Sequence, residues 1–225
     1  MKTGKIRCTI LFPLLWISLY SPAQEVAQWR GPGRDGKYPG NALLQEWPAE
    51  GPALLWSYEG LGAGMGSPVI SGGKIYVTGI PDTLAGMGRL FVFDLKGKVL
   101  WTKDYGSEFT ALYPGARSTP SVAGDHLYIE SGIGSVYCLN AHTGEQIWNV
   151  DFFSDLGADS VQFGFSESLL IEDDRLYCTP GGKSHNMVAL NRFTGEILWA
   201  SPGSGEQATY SSPVLFRHRG RPLLV

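Results

Sequence analysis

Ala189-Leu190-Asn191-Arg192-Phe193-Thr194-Gly195-Glu196-Ile197-Leu198-Trp199 is the stretch on which the reading of this chain turns. An apolar segment ends in Asn, a short turn carrying Thr and Gly follows, and a second apolar segment ends in Trp. Working outward, Cys138-Leu139-Asn140-Ala141-His142-Thr143-Gly144-Glu145-Gln146-Ile147-Trp148 repeats it residue for residue in plan. Val92-Phe93-Asp94-Leu95-Lys96-Gly97-Lys98-Val99-Leu100-Trp101 repeats it with a turn one residue shorter, and Trp56 in Leu54-Leu55-Trp56 is a fourth copy of the tryptophan. The steps from Trp56 to Trp101, Trp148 and Trp199 are 45, 47 and 51 residues.

A second landmark keeps the same beat. Ser67-Pro68-Val69, Thr119-Pro120-Ser121 and Ser212-Pro213-Val214 each open a strand, and Glu167-Ser168-Leu169 takes that place in the third unit. Ile75-Tyr76-Val77, Leu127-Tyr128-Ile129 and Leu176-Tyr177-Cys178 are the strands that follow. Each unit therefore reads strand, turn, strand, loop, strand, Gly-containing turn, strand ending in Trp. Four antiparallel strands every ~45 residues describe the blade of a β-propeller.

The residue choices have physical reasons. Asn or Asp ends the third strand because its side chain bonds the backbone of its own turn. Gly97, Gly144 and Gly195 supply a positive φ that other residues resist. The tryptophan has a broad apolar face for the next blade and an N–H to satisfy. A lone blade cannot bury both faces, so neighbours must stack. With 30 glycines, 14 prolines, 12% aromatics and no long apolar pattern at helical spacing, the class is all-β.

The pattern Ala189-x-Asn191-x-x-Thr194-Gly195-x-x-x-Trp199 resembles the tryptophan-docking motif of pyrroloquinoline-quinone-like (PQQ-like) propeller repeats. Residues 138–148 match it with Cys138 in place of Ala, and 92–101 match more loosely. Gln28-Trp29-Arg30-Gly31-Pro32-Gly33-Arg34-Asp35-Gly36 is similar to the opening of many exported bacterial propellers of this kind. The likeness spans roughly residues 27–225. No Trp-Asp dipeptide marks a WD-type repeat. The resemblance implies an eight-bladed ring, which at this blade length needs about 360 residues. The chain is therefore expected to be the N-terminal part of such a ring: an outer closing strand at 53–58, blades at about 66–102, 118–149 and 165–200, and the start of another at 210–225. A four-bladed ring closed by 53–58 and 212–225 is the alternative, and its last blade lacks a third strand.

The first residues set the compartment. Lys2, Lys5 and Arg7, the apolar run 9–20 and the small residues Ser21-Pro22-Ala23 form a secretory signal over 1–23, followed by an extension over 24–52. That run is too short for a bilayer span, which takes about 20 residues. The expected location is periplasmic or secreted, with no transmembrane segment after signal removal. Cleavage removes three positive charges from a chain whose net charge is −3, so no basic stripe remains for nucleic acid. Cys138 and Cys178 fall at different places in different repeats and read as buried small hydrophobes.

Most motifs dissolve into turns. Gly31–Gly36 fits G-x-G-x-x-G, but a nucleotide fingerprint needs a strand before it and a helix after it. Glu172-Asp173-Asp174 occupies the turn that is Gly72-Gly73 and Gly124-Asp125 elsewhere. The four histidines have no zinc spacing. Metal ligands are expected to be none. Channel-facing candidates come from strand openings: Arg117, Ser118, Thr119, Ser166, Glu167 and Ser212, with Arg117 as partner for a carboxylate.

The resemblance admits two functions. One is a binding or scaffold module for a protein or glycan partner. The other is a quinone-dependent dehydrogenase for an alcohol or sugar, whose cofactors would be pyrroloquinoline quinone and calcium. Such dehydrogenases use a disulfide between neighbouring cysteines and a calcium held by acidic and amide side chains, and no Cys-Cys pair occurs here. The catalytic residues of that alternative are unassigned.

Overall fold

The computed structural model describes residues 26–38 and 44–225; the expected signal at 1–23 lies outside them. Among the described residues every regular element is a strand. A two-residue β1 (Val26–Ala27) precedes three four-stranded antiparallel sheets. The first holds β2 (Val69–Ser71), β3 (Lys74–Gly79), β4 (Met87–Asp94) and β5 (Val99–Ser107). The second holds β6 (Ser121–Ala123), β7 (His126–Ser131), β8 (Ser135–Asn140) and β9 (Gln146–Asp151). The third holds β10 (Leu170–Glu172), β11 (Arg175–Cys178), β12 (Met187–Asn191) and β13 (Ile197–Ser201), and a hairpin of β14 (Leu215–His218) and β15 (Arg221–Leu224) follows. Each sheet runs in sequence order, as expected of propeller blades.

The turns between third and fourth strands are built as their residues dictate. Asp94 Oδ1 accepts the amides of Lys96 and Lys98, each at 2.9 Å. Asn140 Oδ1 accepts those of His142 (2.8 Å) and Thr143 (3.0 Å), and Asn191 Oδ1 those of Phe193 (2.9 Å) and Thr194 (3.3 Å). In every sheet the register slips at the same place, between Val92 and Phe93, Cys138 and Leu139, and Ala189 and Leu190. The residue before each slip sits opposite the tryptophan: Val92 on Trp101, Cys138 on Trp148, Ala189 on Trp199. The bulge twists the outer strand locally, turning its tryptophan.

That tryptophan lands on the next sheet's turn. Trp148 Nε1 donates to the carbonyl of Arg192 at 3.1 Å, and Trp56 Nε1 to that of Leu95 at 3.2 Å. The second-strand tyrosines reach the same place: Tyr76 Oη donates to Ala141 O (3.2 Å) and Tyr128 Oη to Arg192 O (3.0 Å). Leu95, Ala141 and Arg192 each follow the Asx residue of their turn. The turn glycines lie beneath the rings. A Cβ on Gly97 would meet the Trp56 ring at 2.5 Å, one on Gly144 the Trp101 ring at 2.9 Å, and one on Gly195 the Trp148 ring at 3.0 Å.

The core accordingly lies between sheets. Val69, Tyr76, Leu90 and Val92 of the first pack on Val122, Leu127, Ile129 and Leu139 of the second. Tyr128, Cys138 and Trp148 of the second pack on Leu176, Cys178, Val188 and Leu190 of the third. Both cysteines are buried and unpaired. The acidic run resolves into the expected turn, with Asp173 at φ 52°.

Two features involve the N-terminal part. β1 pairs antiparallel with β6, Val26 opposite Ala123, adding a fifth strand to the inner edge of the second sheet. Residues 53–58, expected as an outer strand, make no ladder pair among the described residues; Trp56 stacks on Phe93 with ring centroids 5.9 Å apart.

Gly195 (φ 78°) carries both a left-handed backbone and the Trp148 contact, whereas Gly157 (φ 67°) has open space where a Cβ would stand. Gly195→Ala should therefore destabilise more than Gly157→Ala, whose cost is the backbone term of about 1–3 kcal/mol. Urea unfolding of the two variants reads the difference; equal losses would mean that the ring contact contributes nothing.

Candidate functional site

The residues that open the sheets form a relay at the hub. The Ser67 amide donates to Thr119 Oγ1 at 2.9 Å, the Thr119 amide to Ser168 Oγ at 3.1 Å, and the Ser168 amide to Ser212 Oγ at 2.9 Å. The four residues hold the same place in successive units, so one hydroxyl per blade closes each seam. A hydroxyl that accepts here still has its own proton to donate.

These hydroxyls border a cavity of about 350 Å³. Of the expected site residues, Arg117, Thr119, Ser166 and Ser212 line it together. Ser118 and Glu167 are turned away and buried, because neighbours in an extended segment point to opposite sides. Arg117 is held rather than swinging free. Its Nη2 donates to the carbonyls of Leu112 (2.8 Å) and Tyr113 (2.7 Å), and its guanidinium stands over the Phe109 ring, 5.3 Å from the centroid. Its Nε is buried with no partner. Burial depresses its pKa while the Glu108 charge opposes that shift.

Beside the cavity runs a row of aromatic rings from successive inter-sheet loops. Tyr113 and Phe163 have centroids 6.5 Å apart, Phe163 and Tyr210 5.9 Å, and the Phe163 amide donates to Tyr210 Oη at 3.3 Å. Tyr113 is 74% exposed and Tyr210 52%.

Sequence reasoning missed the opposite wall. Trp29 and Arg30 line the cavity, and Arg34 reaches behind them into the hub. Arg34 is buried; its Nη1 donates to Gln28 Oε1 (3.2 Å) and Leu169 O (3.0 Å), its Nη2 to Ser168 O (2.7 Å). Burial lowers its pKa to about 10, with the Glu167 charge acting against that. The signal was the Gln28–Gly36 stretch itself, whose two arginines flank one tryptophan.

The seam between the second and third sheets carries a buried acid pair. Glu130 stands where its neighbours have Thr78 and Thr179, and Glu167 where they have Gly66, Ser118 and Ser211. In the first seam Thr78 Oγ1 donates to Ser118 O at 3.2 Å. In the second, the Glu167 amide donates to Glu130 Oε1 at 2.9 Å. The amide of Thr179 (2.8 Å) and its hydroxyl donate to Glu167 Oε2. Glu130 Oε2 and Glu167 Oε1 are buried without partners. Burial pushes the Glu167 carboxyl up to about 7 against the pull of Thr179 and Arg34, and pushes Glu130 higher still, helped by the Glu167 charge. Glu108, which accepts the Gly132 amide at 2.6 Å and the Tyr105 hydroxyl, is raised to about 7 by burial too.

These residues do not make the metal and disulfide features that the dehydrogenase alternative calls for. Among the described residues no group of three or more His, Cys, Asp or Glu is placed to hold a metal ion. Cys138 in β8 and Cys178 in β11 are not neighbours and are not joined.

A carboxyl whose pKa rises on folding stabilises the fold fully below its unfolded value near 4.5, and that contribution is lost as pH rises through about 7. Thermal melts should therefore fall in midpoint across this window. Glu130→Thr, which restores the residue of the flanking sheets and removes the neighbouring acid, should flatten the fall. An unchanged slope in that variant would refute the coupling of the two acids.

The comparisons with known proteins agree with this architecture. No curated protein matches the sequence. A quinohemoprotein alcohol dehydrogenase from Comamonas testosteroni is 18% identical, with a TM-score of 0.51 over 67% of this chain and 23% of that one. BamB from Moraxella catarrhalis is 22% identical, with a TM-score of 0.47 over 66% of this chain and 43% of its own. A computationally designed protein, Ika4, is 17% identical, with a TM-score of 0.49 over 77% of this chain and 98% of its own. The chain thus spans less than half the length of the two natural proteins. Residues 86–220 match the family described as outer membrane protein assembly factor BamB, and with its tryptophan-docked, four-stranded blades the chain belongs to that family of PQQ-like repeat proteins.

Proposed function

We propose that the protein is an exported PQQ-like propeller module that binds a protein or glycan partner, in the periplasm or outside the cell, through the loop face around the hub cavity. The carrying observation is the exposed row Tyr113–Phe163–Tyr210 beside the anchored Arg117. Aromatic rings and arginine left at a surface are the residue types that dominate recognition. A contiguous exposed apolar patch rimmed by polar groups marks an interaction site. The positive start, apolar run and small residues of 1–23 support export. Among the described residues no helix is long and apolar enough to cross a membrane.

The second reading, a dehydrogenase using pyrroloquinoline quinone and calcium on an alcohol or sugar, draws on Arg30 and Arg117 at one cavity, since paired guanidiniums suit a ligand with several carboxylates. It lacks a metal-ligating group among the described residues.

A photo-cross-linking residue placed at Tyr113, Tyr210 or Leu100 of the exported protein in its own cells tests the binding face. Adducts should form from Tyr113 and Tyr210 and not from Leu100, on the outer strand of the first sheet; the reverse pattern, or none, counts against the reading. Calorimetric titration with pyrroloquinoline quinone and calcium should give no saturable heat. Calcium-dependent saturation would transfer the assignment to the dehydrogenase.

A further inference from the structure

We propose that the hub cavity and its aromatic row take an acidic oligosaccharide, one whose sugar rings carry carboxylates. This rests on the binding-module reading and names its ligand. Charge decides the sign of the ligand: Arg30 and Arg117 line the cavity, and no carboxylate does. The chain as a whole is net negative at −3, so attraction for an anion is local to this cavity and selective rather than a bulk property.

Arg117 is preorganised. Two backbone carbonyls fix one nitrogen, and the buried Nε has no partner within the protein. A planar guanidinium with an unused edge matches a carboxylate, which can accept two parallel hydrogen bonds. Thr119, Ser168 and Ser212 accept amides from the neighbouring sheets, which leaves their own protons for an outside oxygen. The wall is therefore rich in donors and suits a ligand rich in oxygen acceptors.

Shape and backbone favour rings over a peptide. Tyr113, Phe163 and Tyr210 lie 6.5 and 5.9 Å apart in a line leading away from the cavity, three apolar surfaces for an extended chain of rings. An extended peptide would gain most of its affinity by adding to a free sheet edge. The inner edge of the second sheet, at the middle of this face, is already paired with β1. Recognition here falls to side chains and ring faces.

The test titrates the full-chain protein in a calorimeter with oligogalacturonate, a neutral maltohexaose, poly-glutamate, and pyrroloquinoline quinone with calcium. Oligogalacturonate should bind saturably and the other three should not. Arg117→Gln and Tyr210→Ala should each weaken it about tenfold, the loss expected for one charged hydrogen bond or one ring contact. Thermal melts of both variants should match the parent, since neither side chain belongs to the buried core. Equal binding of poly-glutamate or maltohexaose, insensitivity to both substitutions, or no oligogalacturonate binding by folded protein would overturn the proposal. Absence of sugar binding with cross-links still forming at Tyr113 defeats the ligand class alone. Calcium-dependent quinone binding defeats the binding-module reading and this proposal with it.

Discussion

A tryptophan ring laid over a glycine of the next sheet is the contact on which the rest of the structure depends. Trp148 buries its face against Gly195 and gives its N–H to the Arg192 carbonyl, while Tyr128 donates to that same oxygen. The acceptor is presented because Asn191 has tied down the turn, the glycine gives the ring room, and the bulge at Ala189 and Leu190 prepares the next ring in turn. Remove any one element and the others lose their purpose. Truncating a large aromatic in such a setting costs about 3–5 kcal/mol, a large share of the marginal stability of a domain. The motif is thus a joint between sheets, and the unpartnered Trp199, 40% exposed, marks where the series of joints stops in this structure.

At the hub the seams are held by smaller groups, and there the repeat is free to vary. One hydroxyl per sheet suffices to catch the preceding amide, so the relay through Thr119, Ser168 and Ser212 is common to all three seams. The positions behind it differ. The first seam is neutral, Thr78 bonding Ser118. The second puts two carboxyls in the same space, with Arg34 brought in from the N-terminal segment and held by Ser168 and Leu169. Burying two acids is costly unless a proton or a cation compensates. The departure from the repeat and the arrival of Arg34 at that one seam belong together.

The fold was legible because the information for it is local. The Asx turn, its glycine and the tryptophan lie within eleven residues of each other, and the same eleven recur. The candidate site was only half legible for a reason of periodicity and a reason of distance. Adjacent residues of an extended segment face opposite ways, so of Ser118 and Thr119, and of Ser166 and Glu167, one member of each pair turns into the seam. Arg34 finds its acceptor 134 residues along the chain, and β1 pairs with a strand almost a hundred residues away, relations that no repeat encodes. Glu130 gave no warning either. It becomes conspicuous only when aligned with Thr78 and Thr179, where a carboxyl replaces a hydroxyl at a buried hub position.

The Gln28–Gly36 stretch shows how the frame and the cavity are tied. Arg30 and Arg34 both sit at positive φ, 63° and 53°, a conformation that costs free energy for a residue with a side chain. The surroundings must therefore over-determine it. Arg34 does so from inside, its three hydrogen bonds fastening the segment to the hub carbonyls and to Gln28. β1 does so from the other end by pairing with β6. Between these two anchors the chain turns Trp29 toward the cavity, with the Arg34 guanidinium 5.8 Å from the ring centre on one approach and that of Arg30 at 5.4 Å on another. The buried arginine is thus the reason the exposed one is available: the strain that the inner contact sustains is what places a cation and an aromatic wall at the mouth of the hub.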